Sequence, residues 1–312
     1  MNEERETLPP WSPAVRTDCP VGVAHQAWIE ASIAWFLQEF GRDPVTRPIV
    51  LARPDLRSAS YTGTPAQIDD VVAWTCELMG IDRSELIVEL FDREGEDPAA
   101  GGGRRTVGHY HVEDGRAVIG LDVTEASDAA YLIAVIAHEL CHVRLLGEER
   151  ITHERRDHER LTDLLTVYFG FGVFSTNAAL RFGGATRGFS VQPLGDLDER
   201  TLNAARNDGY SRLGYLTEPE FGYAMACYAW LRGETEPPWA GHLDPGPRAF
   251  LRQGLAYLSR SAPPGAFPTL RTKGAPVTIR VIPKTGPTWL SGLFLELDRT
   301  DWPPAAPGHR PS

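Results

Sequence analysis

The feature that most restricts how this chain can fold is the stretch Ala129 to Ala137, an apolar run that leads directly into His138-Glu139-Leu140-Cys141-His142. Apolar residues fall on every side of a helical wheel here. With Ser127 as N-cap and Gly147 as C′ residue, the sequence predicts a helix that is central and buried. Neither this run nor Leu164 to Phe174, which Gly170 and Gly172 interrupt, reaches the roughly 18 apolar residues of a membrane span, so both read as core helices. Burial then poses a chemical problem, because two imidazoles and a carboxylate at the end of a buried helix are costly without partners.

A metal ion is an economical partner. At 3.6 residues per turn, His138 and His142 lie about 40° apart on one helical face, so one ion can reach both rings. Neutral imidazoles suit zinc, which in catalytic sites keeps one position open for water, and Glu139 is placed to accept a proton from that water. The bland alternative is a polar turn that serves structure alone. Cys141 is rotated away from the line joining the histidines and is expected to pack in the core.

A third ligand is expected from the next helix, predicted over Arg156 to Phe169. Sixteen residues separate His142 from Glu159, and Glu159 and Asp163, four apart, face the same way. His153 and His158 leave a histidine third ligand open. HELCH followed by ERLTD resembles the thermolysin-like metallopeptidases, the gluzincins, which pair HExxH with a downstream ExxxD on an antiparallel helix; the likeness covers residues 127–175. The resemblance implies that His138, His142 and Glu159 are zinc ligands, that Glu139 is the general base, and that Asp163 orients His138 through a hydrogen bond. It also implies that Gly147 to Asp157 reverses the chain. The longer string Glu159 to Asn177 resembles bacterial proteins of no assigned function. Two other zinc-peptidase patterns fit less well: the metzincin motif needs Gly where Leu145 stands, and the HGxxF half of SprT-like proteases is missing.

Around this centre the pattern predicts an α+β fold. Helices are expected over Gln26 to Phe40 and Pro65 to Met79, and strands over Arg47 to Ala52 and Glu85 to Phe91. After a loop from Glu94 to Gly103, the strands Arg105 to Val112 and Arg116 to Val123 flank Asp114-Gly115, a hairpin signal. Further helices fit Phe171 to Leu180, Asp198 to Ala205, Glu218 to Leu231 and Arg248 to Leu258, and a terminal hairpin fits Val277 to Ile282 and Trp289 to Leu297. The expected portions are a loose arm over 1–18, an α/β portion over 19–125 ending in the hairpin, a helical zinc-binding portion over 126–260, and a Pro-rich hairpin and tail over 261–312.

Several other residues enter as candidates. The strand Arg116 to Val123 is a candidate edge strand for pairing with an extended substrate, against an ordinary internal strand. His109 and His111 point to one face of their strand and could approach the metal, though surface histidines are the simpler account. Tyr210, Tyr215 and Tyr223 are candidates for steadying a tetrahedral oxyanion.

With 31 basic against 42 acidic residues and a formal charge of -11, the chain lacks the basic footprint that nucleic acid or anionic membranes require, and neither is expected as a partner. The charged start, Met1 to Glu6, does not read as a secretory signal, so a cytoplasmic location is expected. The 4 scattered cysteines are expected to be reduced. Together these readings point to a zinc metallopeptidase acting on a peptide or protein substrate. The alternatives are a zinc-binding interaction module without catalysis, and a metal-dependent hydrolase of a non-peptide amide or ester.

Overall fold

A computed structural model describes residues 16–92, 108–179 and 216–260, with short strand pieces at 181–182, 210–211, 271–272 and 275–276. The class is α+β. The chain divides into two compact units, Met1–Thr269 and Leu270–Ser312; of the second, only the paired strand pieces 271–272 and 275–276 are described.

Local chemistry sets the helix boundaries in the first unit. Helix α1 (Val23–Phe40) buries Ile29, Ile33 and Phe36 and stops at Gly41; a short turn, α2 (Asp43–Thr46), follows. Helix α3 (Pro65–Met79) begins with Pro65 after Thr64, whose side chain forms a reciprocal capping box with Gln67, and ends at the left-handed Gly80. Arg47 to Ala52, expected as a strand, is irregular. Its Pro48 has no N–H for a ladder, and Val50 N–H bonds to the carbonyl of Gly170 instead.

The sheet has three strands, β1 (Leu86–Phe91), β2 (Gly108–Glu113) and β3 (Arg116–Asp122), in the order β1-β3-β2. Asp114 and Gly115 both adopt positive φ, as the tight β2–β3 turn requires, and the register pairs Tyr110 with Ile119 and His109 with Gly120. β3 is the central strand, parallel to β1 and antiparallel to β2, so it is not the edge strand that the sequence suggested. Among the described residues β1 and β2 are the two edges, and β2 also packs on the next helix.

That helix, α4 (Ala129–His142), is capped by Asp128, which accepts a hydrogen bond from Tyr131 N–H at 3.1 Å; Ser127, the expected cap, lies one residue too early. Length and composition alone would let Ala129–Gly147 cross a membrane, yet most of it is buried inside the unit, against α3, β2, β3 and the helices that follow. After His142 the helix widens into a π turn, Val143–Gly147. The chain then reverses into α5 (His158–Tyr168) and α6 (Gly172–Ala178).

The last pair, α7 (Glu218–Leu231) and α8 (Pro245–Leu258), crosses closely because two glycines lie at the contact. A Cβ on Gly222 would sit 2.3 Å from Phe250 Cβ, and one on Gly254 would sit 2.6 Å from Ala226 Cβ. Helices α1 and α3 pack against α5 and α4, so the segments on either side of residue 125 share one compact unit. The expected loop 94–103, the helix 198–205 and the runs 277–282 and 289–297 lie outside the described residues.

Candidate metal centre

The helical repeat of α4 puts His138 and His142 on one face, with ring centroids 5.0 Å apart and planes nearly perpendicular. Antiparallel α5 brings Glu159 up to them. Its Oε2 lies 3.3 Å from His138 Nε2 and 3.5 Å from His142 Nε2. These three donor atoms lie within 4.8 Å of one another, a group that could hold a metal ion. Behind them, Asp163 Oδ1 lies 3.0 Å from His138 Nδ1, while Oδ2 accepts the Leu216 backbone N–H at 2.9 Å. Thr162 Oγ1 stands 3.4 Å from His142 Nδ1.

Electrostatics within this cluster follow from burial and pairing. Burial opposes charge on His138, but hydrogen bonds from the ring to Asp163 and Glu159 outweigh it and hold the ring well above the usual histidine range. For Glu159, burial is likewise overcome by hydrogen bonding to both histidines, and its carboxyl falls far below the usual range. Burial lowers His142. For Glu139 burial prevails: opposed by the charge on His138 and reinforced by Glu159, it pushes the carboxyl up to about 7.

Strand β2 borders the site. A Cβ on Gly108 would fall 2.5 Å from Glu139 Oε1, so this carboxylate occupies space that a larger residue would take. Two residues on, the Tyr110 ring stacks on His142 with centroids 5.9 Å apart, and a Cβ on Gly147 would fall 2.9 Å from the tyrosine hydroxyl. Alternation sends His109 and His111 to the opposite face, where they stack on each other and His109 stacks on Phe91 over Gly120. Neither belongs to the group of three donors.

The remaining candidates separate clearly. His158 lies beside the site, its ring 6.1 Å from His142 and its Nδ1 3.7 Å from Glu159 Oε1, but it is not in the group of three donors, and neither is His153. Tyr223 is fully buried and donates its hydroxyl proton to Glu30, on the α1 side of the core, which leaves it unavailable as an oxyanion donor. Tyr215 and the side chain of Tyr210 lie outside the described residues. Cys141 is buried, and Cys19, Cys76, Cys141 and Cys227 are all free thiols.

Sequence reasoning missed Gly108, Tyr110, Thr162 and Leu216. Signals for some of them were present. A glycine within a strand marks close backbone approach, and His-Tyr-His alternation sets Tyr110 opposite its neighbours. The Leu216 contact was harder to foresee, but the Thr217–Glu220 capping box just after it reads from T-x-x-E. Glu220 also accepts from Arg160 of α5 and lies 3.0 Å from His25 Nδ1 of α1, tying the start of α7 to the helix that carries Glu159.

Comparison with family models, with curated proteins and with solved structures finds no match to this chain.

Proposed function

We propose that this chain is a zinc-dependent peptidase of the gluzincin type, with His138, His142 and Glu159 holding the ion and Glu139 acting as general base. The observation that carries the reading is the spacing of the donors. In a tetrahedral zinc site with bonds of about 2.0–2.1 Å, neighbouring ligand atoms lie about 3.4 Å apart. The two distances from Glu159 Oε2, 3.3 and 3.5 Å, match that edge before any ion is placed. Two neutral imidazoles and one carboxylate are also a common donor set for catalytic zinc.

Bound there, zinc would supply a Lewis acid that makes water acidic near neutral pH and polarises a carbonyl. The protein's own part is proton handling and placement. Glu139, buried next to His138 on α4, takes a proton from water and later returns it to the leaving amine. Asp163 holds the Nδ1 proton of His138, leaving Nε2 free to bind. Strand β2 supports the choice of an extended peptide substrate. It passes Glu139 at Gly108 and His142 at Tyr110, and among the described residues its outer side is unpaired, ready for backbone pairing.

The test is metal analysis and hydrolysis of casein, labelled peptides and small esters by the full chain and by Glu139→Gln. About one zinc per chain in both proteins is expected, with peptide turnover largely lost in the variant. Metal lost along with turnover contradicts the role of Glu139. Zinc without any hydrolysis favours an interaction module, and ester hydrolysis alone favours a non-peptide hydrolase.

A further inference from the structure

We infer that Thr162 is a positioning residue that holds His142 in the tautomer whose Nε2 can bind a metal ion. The inference rests on the metal-site reading above. Thr162 is fully buried on α5, between Glu159 and Asp163. Its Oγ1 lies 2.8 Å from the carbonyl oxygen of His158 and 3.4 Å from His142 Nδ1. A hydroxyl has one proton to donate, and a carbonyl can only accept. The Thr162 proton is therefore committed to His158, and toward His142 the hydroxyl can act only as an acceptor.

That assignment fixes the imidazole. A hydrogen bond between Nδ1 and Thr162 needs the proton on Nδ1, which leaves the lone pair on Nε2, the atom facing Glu159 Oε2 at 3.5 Å. Tyr110, stacked within 17° of the His142 plane, restricts how the ring can turn. Tyr110 thus sets the orientation of the ring and Thr162 its protonated side. One turn of α5 then carries a ligand, Glu159, together with the acceptors for both histidines, Asp163 for His138 and Thr162 for His142. The two acceptors differ in kind: a carboxylate adds negative charge behind its histidine, whereas a hydroxyl sets the tautomer without adding charge.

A threonine that merely bonds back to the carbonyl four residues earlier is common in helices, so the test must isolate the bond to His142. Thr162→Val keeps the shape and removes the hydroxyl; Thr162→Ser keeps the hydroxyl and removes a methyl. Zinc affinity of the full chain is measured by competition with a chromogenic chelator, beside the thermal stability of the metal-free proteins. Thr162→Val is expected to weaken zinc binding by about 10–100-fold, with Thr162→Ser recovering most of the loss. Unchanged affinity in the valine variant overturns the inference, as does an equal loss in the serine variant, which would make the role one of packing. Should the valine variant not fold, nitrogen-15 histidine spectra of the zinc-loaded parent decide: His142 with its proton on Nδ1 and its Nε2 signal shifted by the metal supports the inference, and the reverse assignment overturns it. A parent chain that takes up no zinc overturns the metal reading itself and this inference with it.

Discussion

Replacing Asp163 by Asn leaves the shape of the side chain unchanged, yet it should disable the site through hydrogen-bond polarity. The Asp163 carboxylate is almost completely buried and faces two N–H donors, with Oδ1 at 3.0 Å from His138 Nδ1 and Oδ2 at 2.9 Å from the backbone N–H of Leu216. A carboxylate accepts from both, whereas an amide offers one oxygen and one NH2 group. If the oxygen of the introduced amide stays on Leu216, the NH2 group points at His138 Nδ1 and favours the tautomer protonated on Nε2, which leaves no lone pair on that nitrogen for a metal ion. If the amide turns over, His138 keeps its tautomer but the Leu216 N–H meets another donor. The first outcome should cost about 10–100-fold in zinc affinity, or about 1.4–2.7 kcal/mol. The second should cost about 1–3 kcal/mol of folding stability, as expected for a buried unpaired donor. The two costs are similar, so the variant should show one or share both. Chelator competition reads the affinity, and denaturant unfolding of the metal-free protein reads the stability. Asp163→Asn with parental values in both measurements would refute the argument that this carboxylate grips both partners.

Glu159→Ala should weaken zinc binding more than Asp163→Ala, because on the proposed reading it removes a ligand rather than the support of one; the reverse order in the same competition assay would make Asp163 the ligand. In Gly108→Ala the new Cβ would sit 2.5 Å from Glu139 Oε1, where ordinary contact begins at 3.4 Å, so the carboxyl must retreat by nearly an ångström. Peptide turnover should fall by about 100-fold with zinc content unchanged, which parallel kinetic and metal assays would check. The Glu139 carboxyl, raised by burial to about 7, contributes stability that is complete below its unfolded value of about 4.3 and is lost as pH rises through 7. Unfolding of the metal-free proteins should therefore show Glu139→Gln gaining on the parent by up to about 3 kcal/mol across that window, and a difference that stays flat with pH would contradict this.

Much of the candidate site was legible in the sequence because its spacing is local. The helical repeat alone places His138 with His142 and Glu159 with Asp163 on single faces, and the uninterrupted apolar run announces that α4 is buried. Punctuation was equally readable where one residue's conformation decides it, as at Gly80 and at Asp114-Gly115. Local pattern failed where long-range pairing decides the outcome. Arg47 to Ala52 has the composition of a strand, but among the described residues no strand pairs with it. The period of two showed that Tyr110 opposes His109 and His111, but only the packing of α4 determined that the tyrosine meets the face that carries His142. That β3 is central and β2 lies at the edge was also settled by pairing between strands. The contact from Leu216 to Asp163 spans 53 residues. Spacing along one helix is set by backbone geometry that every residue shares, so a sequence states it directly. Which surfaces meet depends on the summed packing of distant segments, and that was decided only when α4, α5, β2 and the start of α7 came together.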